Sequence, residues 1–299
     1  MIYTLTLAPS LDYMFSCQKT REGEINRGHN PSFYPGGKGI NVSILLNGLG
    51  VKNTALGFSG GWTGNLIENW LTKLDVKHDF IKIDGESRVN VKVQGERIET
   101  AFNLDGPAVM ETDLEKLYKK LDQLDFGDIL IMGGSSGMVH RTIYNEIITR
   151  YNKRGILCVL DASGKALVEG LKAKPFLIKP NLEELSEFTG RNVEPKEVPE
   201  IGKKIIEEYG VNYVLVSMGH LGACLVTPNE ALFDKFTNRK FKVVTTVGAG
   251  DCLLAGFITK MSEGKPIKEC LHFANFCGAA KCYFSHIPTL ADINKIQEN

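Results

Sequence analysis

The stretch "DILIMGGSSGMVHRTIYNEIITRYNKRGILCVLDAS" (residues 128–163) contains the unit from which the fold can be predicted. Its two ends, 128–134 and 157–163, are short apolar runs typical of buried strands. Between them, 142–152 places apolar residues three and four apart, as on one face of a helix. A strand, a helix and a second strand in this order indicate two parallel strands of one sheet with the helix packed on its face.

The same alternation continues along the chain in both directions. Helical spacing recurs at 65–74 and 113–124, and further apolar runs lie at 2–8, 54–60, 176–181 and 213–219. Such recurrence is typical of a mostly parallel sheet covered by helices. We therefore predict an α/β fold with a mostly parallel central sheet, in a single domain over residues 1–299.

Two early segments interrupt this rhythm. Residues 12–34 carry little helical signal, and 88–104 alternates with period two around a polar turn at Gly95. We predict that these segments, with bounds of about 12–34 and 87–105, pair into a small β-sheet that forms a lid on the α/β body. An exposed lid sheet also favours a homodimer formed through the lid.

The overall charge and the cysteines limit the classes of partner and compartment. Lys+Arg and Asp+Glu are each 35, so no net field would attract nucleic acid or an anionic membrane. The seven cysteines include no C-x-x-C pair, which favours a reduced, cytoplasmic protein. No uninterrupted apolar run approaches the roughly 18 residues that span a bilayer.

The stretch "VVTTVGAGDCLLAGFITKM" (243–261) places a glycine turn before an apolar helical stripe. Backbone N–H groups at such a helix start, here from Gly248, Ala249 and Gly250, make an anion hole. Beside it, Asp251 would accept the proton of an attacking hydroxyl during phosphoryl transfer. The structural alternative is that Asp251 is an ordinary helix N-cap.

Two segments near the N-terminus suggest recognition of a polyhydroxyl ligand. In "YPGGKGINVSILLNGLG" (34–50) the P-loop spacing is absent, but glycines let a ligand hydroxyl reach the backbone and Asn41 both donates and accepts. Asp12 follows the first strand, where a carboxylate can bind hydroxyls. Alternatively, Asp12 is a turn residue and Lys38 a solvated charge.

Two later turns follow predicted strands. In "LIKPNLEELSEF" (177–188), Asn181 and Glu184 fit a capping box, or alternatively hold water around a Mg²⁺–phosphate group. In "VSMGHLGACLV" (216–226), Ser217, Gly219 and Gly222 form a turn that can pass close to a nucleotide, although no G-x-G-x-x-G is present.

Four motifs, "GGKGIN" near residue 40, "KPNLEE" near 180, "SMGHLG" near 220 and "TVGAGD" near 250, occur in order. Together they resemble those of the ribokinase-like PfkB carbohydrate kinases, over the whole chain. The resemblance implies a three-layer α/β/α fold whose β-lid covers the substrate. It also implies ATP-dependent transfer of the γ-phosphoryl group to a sugar hydroxyl, with Mg²⁺ and a possible monovalent cation.

The resemblance also implies roles for particular residues. Asp251 would be the base, and the N–H groups of 248–251 the anion hole. The residues expected at ATP are Lys179, Asn181, Glu184, Ser217, Gly219, Gly222 and Asn275, with Asn181 and Glu184 serving Mg²⁺ through water. The residues expected at the sugar phosphate are Asp12, Arg27, Gly37, Lys38, Asn41, Arg88 and Ser136.

Within the family, "SRVNVKV" (87–93) and "ETAFNLDGP" (99–107) are most similar to the 1-phosphofructokinases, which convert fructose 1-phosphate to fructose 1,6-bisphosphate. Tagatose-6-phosphate kinases are the close alternative. In this subgroup Arg88 is expected to bind the phosphate already on the substrate, with Lys38 and Arg27 assisting. Ala8 before Pro9 and the loop "GGSSGMV" (133–139) depart from the subgroup pattern.

Two other classes of protein are weighed against the kinase. A dinucleotide-dependent oxidoreductase would need a G-x-G-x-x-G after the first strand, and "TLAPSLDY" has none. Only a turnover assay distinguishes a kinase from a catalytically silent sugar-phosphate sensor on the same scaffold.

Overall fold

The computed structural model describes residues 1–95, 99–236 and 240–297. Within them the strands are, in chain order, β1 (Ile2–Thr6), β2 (Ser10–Ser16), β3 (His29–Gly36), β4 (Asn53–Gly60), β5 (His78–Ile83), β6 (Arg88–Gln94), β7 (Glu99–Phe102), β8 (Ile129–Gly133), β9 (Leu157–Asp161), β10 (Leu177–Ile178), β11 (Tyr213–Ser217), β12 (Ala223–Val226) and β13 (Ala231–Asp234). The helices are α1 (Lys38–Gly48), α2 (Gly61–Lys73), α3 (Glu111–Leu121), α4 (Ile143–Asn152), α5 (Gly164–Leu171), α6 (Leu182–Thr189), α7 (Val198–Tyr209), α8 (Ala249–Ser262), α9 (Ile267–Cys282) and α10 (Leu290–Gln297).

The central sheet is mostly parallel, as the sequence predicts. Its strand order is β13-β12-β11-β10-β9-β8-β1-β4-β5, and only β12 and β13 run antiparallel to their neighbours. The unit at 128–163 forms the parallel pair β8 and β9, with Ile129 opposite Leu157. Strands β5, β12 and β13 were not predicted, and β10 has two residues because Pro180 cannot continue a ladder.

Helices cover both faces of this sheet, so the fold has three layers. Along β8, Leu130 and Met132 belong to one buried cluster, which includes residues of α3 to α7. The alternate residues Ile129 and Ile131 belong to a second cluster, with residues of α1, α8, α9 and α10. This alternation follows from the two-residue period of a strand and places a hydrophobic core on each side of the sheet.

The two early segments form a separate four-stranded sheet, as predicted. Its order is β3-β2-β6-β7, in which β2 and β6 are parallel while β2–β3 and β6–β7 are antiparallel. The predicted hairpin turn includes residues 96–98, which lie outside the described residues. The base of this lid sheet packs through Leu11 against α1 and α2. The lid sheet therefore lies beside α1, the helix that begins at Lys38.

Candidate active site

The glycine turn and Asp251 form the start of α8. Gly248 is the N-cap of this helix, in the left-handed conformation with φ of 80°, and Asp251 is the third residue of α8. The capping alternative is therefore wrong, because the cap position is occupied by a glycine without a side-chain bond. Instead the Asp251 carboxylate accepts a hydrogen bond from Asn41 Nδ2 at 2.7 Å. Asn41 lies on α1, so the structure brings two predicted site residues together.

Asp251 is 7% exposed, and its surroundings favour the protonated carboxyl. Burial raises the pKa of Asp251 to about 6, and the negative charge of Asp161 adds to this increase. Lys38, the hydrogen bond from Asn41 and Lys179 act in the opposite direction. A carboxylate with a pKa near 6 is a stronger proton acceptor than an ordinary one and remains ionised at neutral pH.

Asp161, at the carboxyl end of β9, was not identified from the sequence. It is 1% exposed and forms ion pairs with Lys38 Nζ at 2.6 Å and Lys179 Nζ at 3.2 Å. Burial would raise the pKa of Asp161, but the charges of Lys179 and Lys38 outweigh it and hold the pKa below its ordinary value. A signal was available, because Asp161 ends a predicted strand in the same way as Asp12 follows β1.

Lys38 and Gly37 begin α1, next to β1. Gly37 has a φ of 120°, and a Cβ there would lie 2.6 Å from Thr6 Cγ2, so a larger residue is excluded. Lys38 is expected near the sugar, but its ammonium lies against Asp161 and 3.7 Å from Glu184 Oε1. The alternative, that Lys38 is merely a solvated charge, is wrong, because its ammonium pairs with the buried Asp161 and lies close to Glu184.

Asn181 and Glu184 form the capping box that the sequence indicates. Asn181 Oδ1 accepts from the Glu184 N–H at 2.8 Å, and Glu184 Oε2 accepts from the Asn181 N–H at 2.9 Å. The second carboxylate oxygen of Glu184 faces Lys38. Both oxygens therefore have protein partners, and this arrangement fits contact with Mg²⁺ through water better than direct ligation.

A cavity of about 660 Å³ opens on one side of the glycine turn. It brings together residues predicted at ATP with the first turn of α8, namely Asn181, Ser217, Gly219, Gly222, Asn275, Ala249 and Gly250. Lys179 borders this region, since a Cβ on Gly250 would lie 3.1 Å from its Nζ. The cavity is large enough for a nucleotide.

A second cavity, of about 370 Å³, lies on the other side of the turn and includes Asp12, Asn41 and Gly248. The Asp12 carboxylate accepts hydrogen bonds from Ser10 Oγ, Asn90 Nδ2 and Lys92 Nζ, at 2.7, 3.0 and 2.5 Å. Asn90 and Lys92 were not identified from the sequence, although the period-two alternation of β6 places them on one face. This network joins β2 to β6 within the lid, and two of its members, Asp12 and Lys92, line the cavity.

Like Lys38, three further residues predicted at the sugar phosphate do not line either cavity. Arg88 Nε donates to the Ala8 carbonyl at 3.0 Å, and burial lowers the pKa of Arg88. Ala8, one of the departures from the subgroup, thus holds Arg88 through its backbone. Ser136 is half-buried in the loop after β8, and Arg27 is exposed between β2 and β3.

Residues 1–95, 99–236 and 240–297 contain no group of three or more His, Cys, Asp or Glu residues arranged to hold a metal ion. No helix in the same ranges is long and apolar enough to cross a membrane.

A buried carboxylate at the start of a helix, and a glycine turn that lines both a nucleotide-sized cavity and a smaller one, define a phosphotransferase acting on a small hydroxyl compound. A model of the pfkB family of carbohydrate kinases matches residues 6–283. The chain belongs to this family, whose members use ATP with Mg²⁺.

Relatives and solved structures match along nearly the whole chain. A 1-phosphofructokinase of Borreliella burgdorferi is 37% identical, over 99% of this chain and 96% of the relative. A 1-phosphofructokinase of Bacillus subtilis is 39% identical, over 97% and 95%. A tagatose-6-phosphate kinase of Staphylococcus epidermidis is 31% identical, over 93% and 91%. The crystal structure of Escherichia coli phosphofructokinase-2 in complex with potassium has a TM-score of 0.90 and 30% identity, over 99% and 98%.

Proposed function

We propose that this protein transfers the γ-phosphoryl group of ATP to fructose 1-phosphate, giving fructose 1,6-bisphosphate and ADP. The observation that carries the proposal is the glycine turn, which contributes Gly248 to the smaller cavity and Ala249 and Gly250 to the larger one, with Asp251 hydrogen-bonded to Asn41 of the smaller cavity. The choice of acceptor is supported by the two 1-phosphofructokinases, which are more similar to this chain than the tagatose-6-phosphate kinase is.

In the proposed reaction the free primary hydroxyl of the sugar phosphate attacks the γ-phosphorus. The new O–P bond forms as the bond between the γ-phosphorus and the bridging oxygen breaks, and the hydroxyl proton passes to Asp251. The N–H groups of residues 248–251 neutralise the charge that spreads over the transferring group. Asn41 holds the carboxylate in position through its 2.7 Å hydrogen bond.

On the nucleotide side we assign Ser217, Gly219, Gly222 and Asn275 to ATP, because they line the larger cavity. Lys179 is fixed by Asp161 and supplies positive charge at Gly250. Mg²⁺ supplies charge neutralisation to the phosphates, and we place it with Asn181 and Glu184 through water.

On the sugar side we assign Asp12, Gly37 and Asn41 to the hydroxyls and Arg88, with Ser136 and Arg27, to the phosphate already present. Asp12 lines the smaller cavity, and the lid supplies its partners. Lys38 assists at the same phosphate, because its ammonium has three donors and, in the described part of the chain, pairs with only two carboxylates, those of Asp161 and Glu184.

The same enzyme is proposed to act in the cytoplasm, as one unit over residues 1–299 and as a homodimer through the lid. Six of the seven cysteines are buried as free thiols, which suits a reducing compartment. The lid exposes Phe33 and Phe102, and a partner sheet would cover such rings. The molar mass measured by light scattering, for the wild type and for Phe33→Asp, tests the dimer.

The function is tested by ATP/Mg²⁺ turnover of the purified protein on fructose 1-phosphate, tagatose 6-phosphate, fructose 6-phosphate and fructose. We expect the highest kcat/KM for fructose 1-phosphate, and an increase in KM for that substrate in Arg88→Met. A preference for tagatose 6-phosphate would support the second candidate, favoured by the Staphylococcus epidermidis relative. Binding without turnover on every substrate would establish the silent sensor instead.

A further inference from the structure

Lys281, in the last turn of α9, is a buried ammonium that the sequence analysis did not single out. The residue is 3% exposed, comparable to Lys179 at 4%. Lys179 and Lys38 both pair with Asp161. Among residues 1–95, 99–236 and 240–297, by contrast, no carboxylate oxygen forms an ion pair with Lys281. Lysines are almost never fully buried without a partner, so this ammonium requires an explanation.

The only hydrogen bond described for its Nζ leads to the Phe284 carbonyl, at 2.9 Å, just beyond the end of α9. Carbonyl groups at the end of a helix carry partial negative charge, and a lysine there is ordinary when it is exposed. Here the same end of α9 supports the anion hole, because the Cys282 carbonyl accepts from the Val244 N–H at 2.7 Å. Without a cation, negative partial charge would lie directly beside an anion site.

Lys281 also lies beside the turn itself. A Cβ built on Gly248 would lie 3.5 Å from its Cε, and both residues line the smaller cavity. Burial lowers the pKa of Lys281, and the charge of Lys92 adds to this decrease. Cys252, Cys282 and Asp251 act in the opposite direction without cancelling it. An anion bound at the turn would raise the pKa again and would compensate the buried charge.

We propose that Lys281 is a positioning residue whose ammonium is a built-in cation behind the anion-hole turn, so that phosphoryl transfer does not depend on a monovalent metal ion. The Escherichia coli relative was crystallised with potassium. A metal ion at the Phe284 carbonyl of this chain would meet an oxygen already bound by an ammonium and would be repelled by its charge. The residues present therefore do not fit a monovalent cation at this carbonyl.

The first test uses the unaltered protein and rests on the proposed function. We expect the same kcat/KM on fructose 1-phosphate in potassium, sodium and choline chloride at equal ionic strength, within about twofold. If kcat/KM were at least tenfold higher in potassium than in sodium or choline, the inference would be overturned while the kinase assignment remained intact. A tenfold factor corresponds to about 1.4 kcal/mol of transition-state stabilisation. Absence of turnover under all conditions would instead overturn the proposed function.

The second test replaces the Lys281 ammonium with an uncharged side chain of similar length. We expect Lys281→Met to lose at least about tenfold in kcat in sodium, and potassium or ammonium to restore most of it, because either ion can bind the vacated carbonyl. Lys268→Met, at an exposed position of the same helix, is the matched control and should respond to neither ion. Loss of activity without rescue would assign Lys281 a merely structural role.

The third test does not require activity. Without ATP or sugar, the Tm of Lys281→Met should be higher in potassium than in sodium at equal ionic strength, and the wild type should show no such difference. A potassium-specific increase in the wild type would overturn the inference, even if the variant failed to fold.

Discussion

The carboxyl end of β9 and the first turn of α8 each hold a buried aspartate, and the two regions treat it in opposite ways. Asp161 lies between two ammonium groups, which hold its pKa down. Asp251 has one neutral donor, Asn41, and its pKa rises to about 6. Burial is similar at 1% and 7%, so the neighbouring charges decide which carboxylate remains a fixed ion and which accepts a proton.

The largest effect is expected when the charge of Asp161 is removed. Asp161→Asn leaves the Lys179 ammonium buried without a carboxylate and leaves Lys38 only its 3.7 Å contact with Glu184, which should lower the free energy of unfolding by about 3–5 kcal/mol. Urea unfolding at neutral pH measures this, with exposed Asp79→Asn as the control. Unchanged stability would mean that the ion pairs contribute nothing to the fold.

The next effect concerns the proton acceptor. Asp251→Asn should preserve the fold and ATP binding but lower kcat by at least about a hundredfold, because the amide cannot take the hydroxyl proton. Steady-state kinetics and calorimetric ATP titration give the two quantities. If turnover remained near normal, the role assigned to Asp251 would be lost.

The same substitution should increase stability, in contrast to Asp161→Asn. The pKa of Asp251 is raised from 3.8 to about 6 on folding, so its stabilising contribution is complete below pH 3.8 and is lost as the pH rises through about 6. Asp251→Asn should therefore be more stable than the wild type by roughly 1–3 kcal/mol at pH 8, with a smaller difference at pH 5. Urea unfolding at the two pH values measures this, and equal differences would contradict the raised pKa.

The smallest effect is expected when Asn41, the neutral donor to Asp251, is removed. The kcat/KM of the wild type should fall below about pH 6 as Asp251 takes up a proton. Asn41→Ala removes a hydrogen bond that lowers this pKa, so the acidic limb should move to higher pH by up to about one unit. A limb that did not move would show that Asn41 leaves the acidity of Asp251 unchanged.

The fold was predictable because its signals are local. Short apolar runs and helical spacing identified β8, α4 and β9, and the break in that rhythm identified the lid. Strands β12 and β13 were missed because each has only four residues, too few to give a clear pattern, although a turn was identified directly before β12. Both pair antiparallel at the sheet edge, outside the alternation on which the prediction rested.

The site was predictable where the residues that form it are adjacent in sequence, as with Asp251 and the glycines of the turn before it. It was not predictable where the function of a residue depends on contacts between distant segments. Asp161 meets Lys38 across 123 positions of sequence, and Lys92 meets Asp12 across 80. Lys281 lies in an apolar helical run, and only the three-dimensional structure shows that its ammonium is buried beside Gly248.

The parallel pairing of β2 with β6 has a consequence for the order of folding. Seven residue pairs, from Ser10 with Arg88 to Ser16 with Gln94, join segments about eighty positions apart. Parallel strands need a crossover connection. Here the crossover includes β4 and β5 of the central sheet and the helix α2 between them. The lid ladder therefore closes only after this part of the body has assembled, since the loop entropy must first be overcome. Amide hydrogens of β2 and β6 should gain protection late during refolding, after those of β1 and β4.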